Sequence, residues 1–307
     1  MNRQDPRKII ITAAVNGPFT MRERVPGIPL DGNPNVPYTP EEIATQNKEC
    51  YDEGAAIAHT HTRNPETGAN CHESELFGQA YRLIHSQTPM LCNPTTGGGG
   101  MITPEERIAI IPELAKMPAG SKPELAELTA GSMNLDLYDP DTKEWALGRL
   151  IFSNSHADFE MFLDICNQHG VKPVICCFEY SHLYNVLRMV DKGLVREPVF
   201  FDFAFGGGNI VGGLPPTYDN LKGFLDRIPD DLDHIWEVLT FGVDEFPMCL
   251  YGAALGGNIR LGLEDYPYAE QGCPTTADLI RRFVPLAEAL GRKPATPDET
   301  REFLGLH

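Results

Sequence analysis

Eight short apolar runs, each followed by an amphipathic stretch, constrain the fold of this chain more than any other feature. Near-continuous hydrophobicity is typical of parallel strands that are covered on both faces. The runs are residues 8–14, 54–59, 89–94, 125–130, 172–178, 198–205, 234–241 and 258–263. The predicted helices are residues 40–53, 73–86, a segment that begins at 103, 155–169, 182–192, 217–227, 245–254 and 276–290. Strict alternation of eight strands and eight helices predicts an α/β fold, the (β/α)8 TIM barrel.

An open, doubly wound sheet is the alternative arrangement of such units. It would place a glycine-rich fingerprint after the first strand, and residues 15–19 (Val-Asn-Gly-Pro-Phe) do not have that pattern. The 307 residues contain no low-complexity linker, so we expect residues 1–307 to form one barrel domain. A short C-terminal appendage is expected from about residue 294, and the long loop 15–39 is expected to cover part of the barrel mouth.

Charge and cysteine usage exclude several classes of function. The formal net charge is −18, which argues against nucleic acid or an anionic membrane surface as a partner. No apolar run approaches the length of a membrane span, and the first residues lack the apolar core of a signal peptide, so we expect a cytoplasmic protein. The eight cysteines include no Cys-x-x-Cys pair and lie mostly in apolar runs, which is typical of buried, reduced thiols.

Two histidines close the second apolar run, in the segment Ala58-His59-Thr60-His61-Thr62-Arg63. Residues i and i+2 of a strand point the same way, so both imidazoles would leave the strand side by side, as two ligands of one metal require. Imidazole suits zinc, and a catalytic zinc commonly has three protein ligands with one open position. The alternative interpretation is that two polar histidines merely end a buried strand.

The eighth run carries the second motif, Arg260-Leu261-Gly262-Leu263-Glu264-Asp265. Catalytic groups of this fold lie at the C-terminal ends of the strands, so Glu264 is placed to complete a His-His-Glu metal site. Arg260 beside Asp265 is a pairing that would keep a general base ionised and oriented. The competing interpretation is a salt bridge at the start of a loop.

Other strand ends offer candidates for substrate binding. Thr95-Thr96-Gly97-Gly98 exposes backbone amides and hydroxyls that suit an anion, although a flexible loop has the same composition. Ser132 and Asn134 follow the fourth strand, and turn capping is the equal alternative for such side chains. Glu179 follows the fifth strand and would bind a cationic group or remain solvated.

Taken together, these segments resemble the β-keto acid cleavage enzymes, which include 3-keto-5-aminohexanoate cleavage enzyme. The similarity runs over almost the whole chain. It includes residues 9–14, the Ala-His-x-His-x-Arg segment, Thr95-Thr96-Gly97-Gly98, Gly131-Ser132-Met133-Asn134, residues 181–185, residues 257–265 and residues 295–299. The combination of His-x-His with Arg-x-Gly-x-Glu-Asp is specific.

The resemblance implies a TIM barrel with one zinc ion held by His59, His61 and Glu264. It implies that Asp265 is the general base, oriented by Arg260. It further places Thr95 near the substrate carboxylate and Ser132 at another active-site hydroxyl position. The implied reaction joins a β-keto acid and acetyl-CoA and yields acetoacetate and a new acyl-CoA. In it, zinc would polarise the keto oxygen while Asp265 removes a proton from C2. The family is typically homo-oligomeric, so we expect a homotetramer or homodimer.

The chain differs from the family pattern at positions that are expected to contact the substrate. Phe19 and Cys176 stand where the aminohexanoate enzyme has acidic residues, and Val243-Asp244 stands where many relatives have Arg-His. The substitutions predict a different β-keto acid and leave no basic residue at these strand ends for coenzyme A. Two alternatives remain: an amidohydrolase-type metal hydrolase, which would need histidines after strands five and six, and a non-catalytic keto-acid sensor.

Overall fold

The computed structural model describes residues 4–24, 30–97 and 102–306, and eight parallel strands form its centre. The strands are β1 Ile11–Ala14, β2 Ile57–Thr60, β3 Leu91–Pro94, β4 Leu125–Thr129, β5 Lys172–Cys177, β6 Val199–Gly206, β7 His234–Phe241 and β8 Asn258–Leu261. Their spatial order is β3-β2-β1-β8-β7-β6-β5-β4, and a parallel bridge between Thr95 and Glu127 joins the two outer strands. The predicted TIM barrel is therefore confirmed.

Helices lie between the strands, as the sequence predicts. They are α1 Pro40–Asp52, α2 Ser74–Gln87, α3 Pro104–Ile108, α4 Ile110–Leu114, α5 His156–His169, α6 Tyr180–Asp191, α7 Tyr218–Leu225, α8 Phe246–Ala254, α9 Thr276–Ala289 and α10 Pro297–Leu304. Thr39 and Thr103 form capping boxes with a proline at the first helical turn, and Gly170 ends α5 in the left-handed conformation. No helix in the described ranges is long and apolar enough to cross a membrane.

The barrel interior is built in layers, because alternate residues of each strand point inward. The lowest layer is apolar and comprises Ile10, Ile57, Leu91, Leu125, Val174, Phe200 and Ile235. Phe303 and Leu304 of α10 pack in the same cluster, so the C-terminal segment covers this end of the barrel. A mainly polar layer lies two residues further along these strands, with Arg260 as the residue from β8. It comprises Thr12, His59, Asn93, Glu127, Cys176, Asp202, Glu237 and Arg260.

Several strands are shorter than the predicted apolar runs, and in two of them a side chain takes a backbone donor. The first run divides at Ile10, whose amide donates to the Asn258 side chain at 2.8 Å, and Lys8–Ile9 pairs with Lys293–Pro294. The eighth run leaves the sheet at Gly262, whose amide donates to the Glu245 carboxylate at 3.1 Å. Side chains thus take the backbone donors that a longer strand would use.

Two small antiparallel sheets that the sequence analysis did not predict are formed by the loops after β4 and β6. Met133–Asn134 pairs antiparallel with Ile151–Phe152. Asp136–Asp139 pairs antiparallel with both Glu144–Trp145 and Ile210–Val211. We call these strands the mouth sheet. It links the two loops at the C-terminal end of the barrel, where functional sites of this fold are found.

Candidate active site

His59, His61 and Glu264 meet at the C-terminal end of the barrel. Glu264 Oε2 lies 3.1 Å from His59 Nε2, and Glu264 Oε1 lies 2.9 Å from His61 Nε2. The side chain of Asn16 fixes the backbone of His61, because it accepts from the His61 amide and donates to the His61 carbonyl, both at 3.1 Å. The main chain of Glu264 is held by Ala14, whose carbonyl accepts from the Glu264 amide at 3.0 Å.

The three side chains fit a metal ion. One donor atom from each lies within 4.8 Å of the others, and two nitrogens with one carboxylate oxygen form a donor set that zinc accepts. His59 and Glu264 are buried, yet within the described part of the chain neither ring nitrogen of His59 nor Oε2 of Glu264 makes a hydrogen bond. Buried polar atoms normally have partners, so these atoms are those a cation would satisfy.

Arg260 contacts four carboxylates at the bottom of the site. Its Nη1 pairs with Glu127 and lies 3.4 Å from Asp202, and its Nη2 lies 2.6 Å from Glu264 and 3.4 Å from Asp265. Burial lowers the pKa of the guanidinium, but the surrounding carboxylates outweigh it and raise that pKa well above its usual value. Arg260 therefore links the predicted metal ligand to the predicted base.

Sequence reasoning missed three acidic residues of the polar layer: Glu127, Asp202 and Glu237. Glu127 Oε2 lies 3.4 Å from His59 Nδ1, so it contacts both a metal-ligand candidate and Arg260. Glu237 accepts from the Thr12 hydroxyl at 2.6 Å. The available signal was a carboxylate inside an otherwise apolar strand run, and our interpretation considered only the strand ends.

Asp265 is buried beside this network. Burial raises the pKa of its carboxyl well above the usual range, and Arg260 opposes that effect. The backbone carbonyl oxygen of Asp265 accepts a hydrogen bond from the Gly242 amide at 2.9 Å, which holds the loop after β8 against the end of β7. Arg260 Nη2 lies 3.4 Å from Asp265 Oδ2, and the role of Asp265 as a general base stays a prediction.

A cavity of about 900 Å³ opens above these residues, and His61, Arg260, Glu264 and Asp265 all line it. Thr95 and Gly97 line it too, and the Thr95 hydroxyl oxygen accepts from the Gly97 amide at 2.9 Å. The hydroxyl proton of Thr95 is then directed elsewhere and is available to a ligand.

Four other predicted substrate-binding residues are not among the described residues that line this cavity: Thr96, Ser132, Asn134 and Glu179. Thr96 donates its hydroxyl to the Glu127 carbonyl at 2.5 Å, and the Ser132 oxygen accepts from the Asn154 amide at 2.8 Å. Asn134 belongs to the mouth sheet, and Glu179 is the residue before α6. The fifth, Gly98, lies outside the described residues.

The mouth contains a basic residue that the strand ends did not reveal. Arg149 lines the cavity and is exposed, in the segment that connects two strands of the mouth sheet. Phe19 and Cys176, the two departures from the family pattern, also line the cavity. Burial raises the pKa of the Cys176 thiol well above its usual value, so this thiol is neutral.

Fold and site together define a TIM barrel with a His-His-Glu cluster and an adjacent Arg–Asp pair at its C-terminal end. The sequence matches the model of the beta-keto acid cleavage enzyme family over residues 8–306. The chain belongs to that family, and the resemblance noted from the motifs is confirmed.

Curated relatives match over nearly their full length. The 3-keto-5-aminohexanoate cleavage enzyme of Acetoanaerobium sticklandii is 33% identical, over 97% of this chain and 98% of that protein. The 3,5-dioxohexanoate:acetyl-CoA acetone transferase of Paraburkholderia graminis is 32% identical, over 98% and 96%. The 3-dehydrocarnitine:acetyl-CoA trimethylamine transferase of Rhizobium meliloti is 28% identical, over 98% and 97%.

Among solved structures, apo ObcA superposes with a TM-score of 0.70 and 18% sequence identity. The match covers 89% of this chain and 66% of ObcA, so the chain spans about two thirds of that protein's length. At this identity the likeness shows the shared fold.

Proposed function

We propose that the chain is a zinc-dependent β-keto acid cleavage enzyme that uses acetyl-CoA. The observation that carries the proposal is that His61, Glu264 and the Arg260–Asp265 pair line one cavity, with the buried His59 in contact with Glu264. Two relatives are transferases whose names include acetyl-CoA, which supports acetyl-CoA as co-substrate.

The proposed reaction exchanges acyl groups. The bond between C2 and C3 of the β-keto acid breaks, and C2 becomes bonded to the acetyl carbonyl carbon, which gives acetoacetate. The original acyl group leaves on the sulfur of coenzyme A as a new acyl-CoA. Atoms balance with no oxidant or reductant, because one thioester and one β-keto acid are present on each side.

Each residue has a role in this scheme. The Asp265 carboxylate accepts a proton from C2, and Arg260 orients that carboxylate through the 3.4 Å contact. The Thr95 hydroxyl donates to the substrate carboxylate. His59, His61 and Glu264 would hold zinc, which supplies Lewis-acid polarisation of a carbonyl oxygen.

The test is formation of acetoacetate and a new acyl-CoA from acetyl-CoA and a panel of β-keto acids, with zinc content determined on the same sample. Asp265→Asn should keep the metal and lose exchange of the C2 proton with solvent, whereas Asp191→Asn, at an exposed carboxylate, should change neither. No turnover across the panel by zinc-loaded protein would refute the proposal.

A second variant tests the metal ligands. His61→Ala should lose both metal and activity because one of three ligands is removed, and His169→Ala, at the end of α5, should lose neither. Stoichiometric zinc in His61→Ala would contradict the ligand assignment.

Location and assembly form part of the same proposal. We place the protein in the cytoplasm as a homodimer or homotetramer, with residues 1–307 as one domain. All eight cysteines are free, which agrees with a reducing compartment. Light scattering of the purified protein would measure its mass, and a monomer would contradict the assembly.

A further inference from the structure

The cavity walls are divided by polarity. On the side of β2 to β4, the residues that line the mouth include the polar His61, Thr95 and Thr129. On the opposite side they are apolar, and Phe178, Leu239 and Phe241 line the cavity there. Glu237, Leu239 and Phe241 alternate along β7, so the wall changes from polar at depth to apolar at the mouth.

The mouth sheet extends the apolar wall. Met133, Leu137 and Phe152 are buried in one hydrophobic cluster with Leu239 and Phe241. The aromatic rings form a continuous set: the Phe178 ring centroid lies 5.7 Å from that of Phe241, and 6.5 Å from that of Phe152. A substrate held by the polar side would therefore place its remaining groups against a preformed apolar surface.

Among the described residues that line the cavity, no carboxylate is free to pair with a cation at this wall. The acidic side chains among the described lining residues are Glu127, Glu264 and Asp265, and all three pair with Arg260. A cationic substituent placed against the wall would lose water without gaining a counter-ion. An anionic substituent could pair only with Arg149, which is exposed, because Arg260 is already paired, so it would remain at the solvent-facing part of the cavity and not against the wall.

We propose that the substrate is a β-keto acid whose C3 substituent is uncharged and apolar, and that Phe178, Leu239 and Phe241 contact it. The inference rests on the proposed function. It separates this chain from a relative named for 3-keto-5-aminohexanoate, whose substituent carries an amine.

The closing experiment compares 5-methyl-3-oxohexanoate with 5-amino-3-oxohexanoate, which differ by a methyl group in place of an ammonium group. The methyl compound should have a kcat/KM at least 100-fold higher, because an unpaired buried charge is strongly disfavoured. From 3-oxopentanoate to 3-oxohexanoate, the one added methylene should raise kcat/KM about fourfold. Equal or better turnover of the amine would overturn the inference.

The specificity and the chemistry can fail separately. If the enzyme turned over only the amine, the proposed cleavage reaction would stand, and the assignment of an apolar C3 substituent would be wrong. Absence of turnover with every acid would remove the proposed function. In that case, calorimetric binding of the two six-carbon chains without acetyl-CoA still decides the assignment, and tighter binding of the amine would overturn it.

Variants at Leu239 test the wall directly. Leu239→Ala should lower kcat/KM for the methyl compound about tenfold and leave the amine unchanged. Leu239→Glu should reverse the preference between the two compounds. Leu286→Glu adds the same charge at an exposed position on α9 and should alter neither value. If Leu239→Glu fails to fold, the Leu239→Ala result stands alone, and an equal loss for both compounds would overturn the inference.

Discussion

Gly17→Ala should weaken metal binding by displacing Glu264, although Gly17 itself offers no ligand. A β-carbon at Gly17 would lie 2.0 Å from Glu264 Cγ and 2.8 Å from the Glu264 carbonyl oxygen. Carbon atoms pack at about 3.5 Å, so the side chain must move by about 1.5 Å. Ligand distances in metal sites hold to about 0.2 Å, so the displacement is several times what a site tolerates.

We therefore expect a loss of zinc affinity of at least about tenfold, the lower range for disturbed support of a ligand. Overpacking should also lower the free energy of unfolding by about 1–3 kcal/mol. Competition with a chromogenic chelator measures the affinity, and urea denaturation of the metal-free protein measures the stability. Gly291→Ala is the control, because its φ of +81° costs stability while no atom lies within 4 Å of the new β-carbon. Wild-type zinc affinity in Gly17→Ala would refute the steric argument.

Two further predictions concern charged groups. Arg260→Lys should lower zinc affinity about 10- to 100-fold, because one ammonium replaces two nitrogens that contact four carboxylates; unchanged zinc content after dialysis would contradict this. His85 and Glu124 pair at the opposite end of the barrel, 3.6 Å apart. Burial alone would lower the pKa of His85, but contact with Glu124 outweighs burial and raises that pKa. Burial alone would raise the pKa of Glu124, but His85 and its other hydrogen-bond partners outweigh burial and lower that pKa. The raised His85 pKa stabilises the fold below pH 6.5 and the lowered Glu124 pKa stabilises it above pH 4.5. His85→Gln should therefore cost about 1 kcal/mol more at pH 5.5 than at pH 8.5 in urea denaturation, and a pH-independent cost would contradict the pairing.

The sequence predicted the barrel because its strongest signals are local. Apolar runs, the capping box at Thr39 and the glycine after α5 act over a few residues, and each was found where it was expected. His59 and His61 could be paired with Glu264 because all three follow strands whose C-terminal ends meet at one face.

What the sequence did not reveal depends on contacts between distant segments. Glu127 and Asp202 lie 75 positions apart along the chain and meet only because alternate residues of β4 and β6 point into the same layer. The mouth sheet likewise joins Asp136–Asp139 to Ile210–Val211, and strands of two to four residues are too short for a periodic signal. Thr96 and Ser132 were assigned to substrate because a hydroxyl at a strand end suits a ligand and a main-chain partner equally, and the main-chain partner is the one observed.

The charges of the polar layer connect the metal proposal to the fold. Arg260 is in contact with four carboxylates, Glu127, Asp202, Glu264 and Asp265, so full ionisation would leave three uncompensated negative charges around one guanidinium. Burial raises the pKa values of both Asp202 and Asp265 well above their usual range, because one guanidinium does not compensate four buried carboxylates. A divalent cation beside Glu264 would supply two of the three missing positive charges. Three features of the cluster therefore favour a divalent cation: the set of ligand atoms, the buried atoms without hydrogen bonds, and the excess of negative charge.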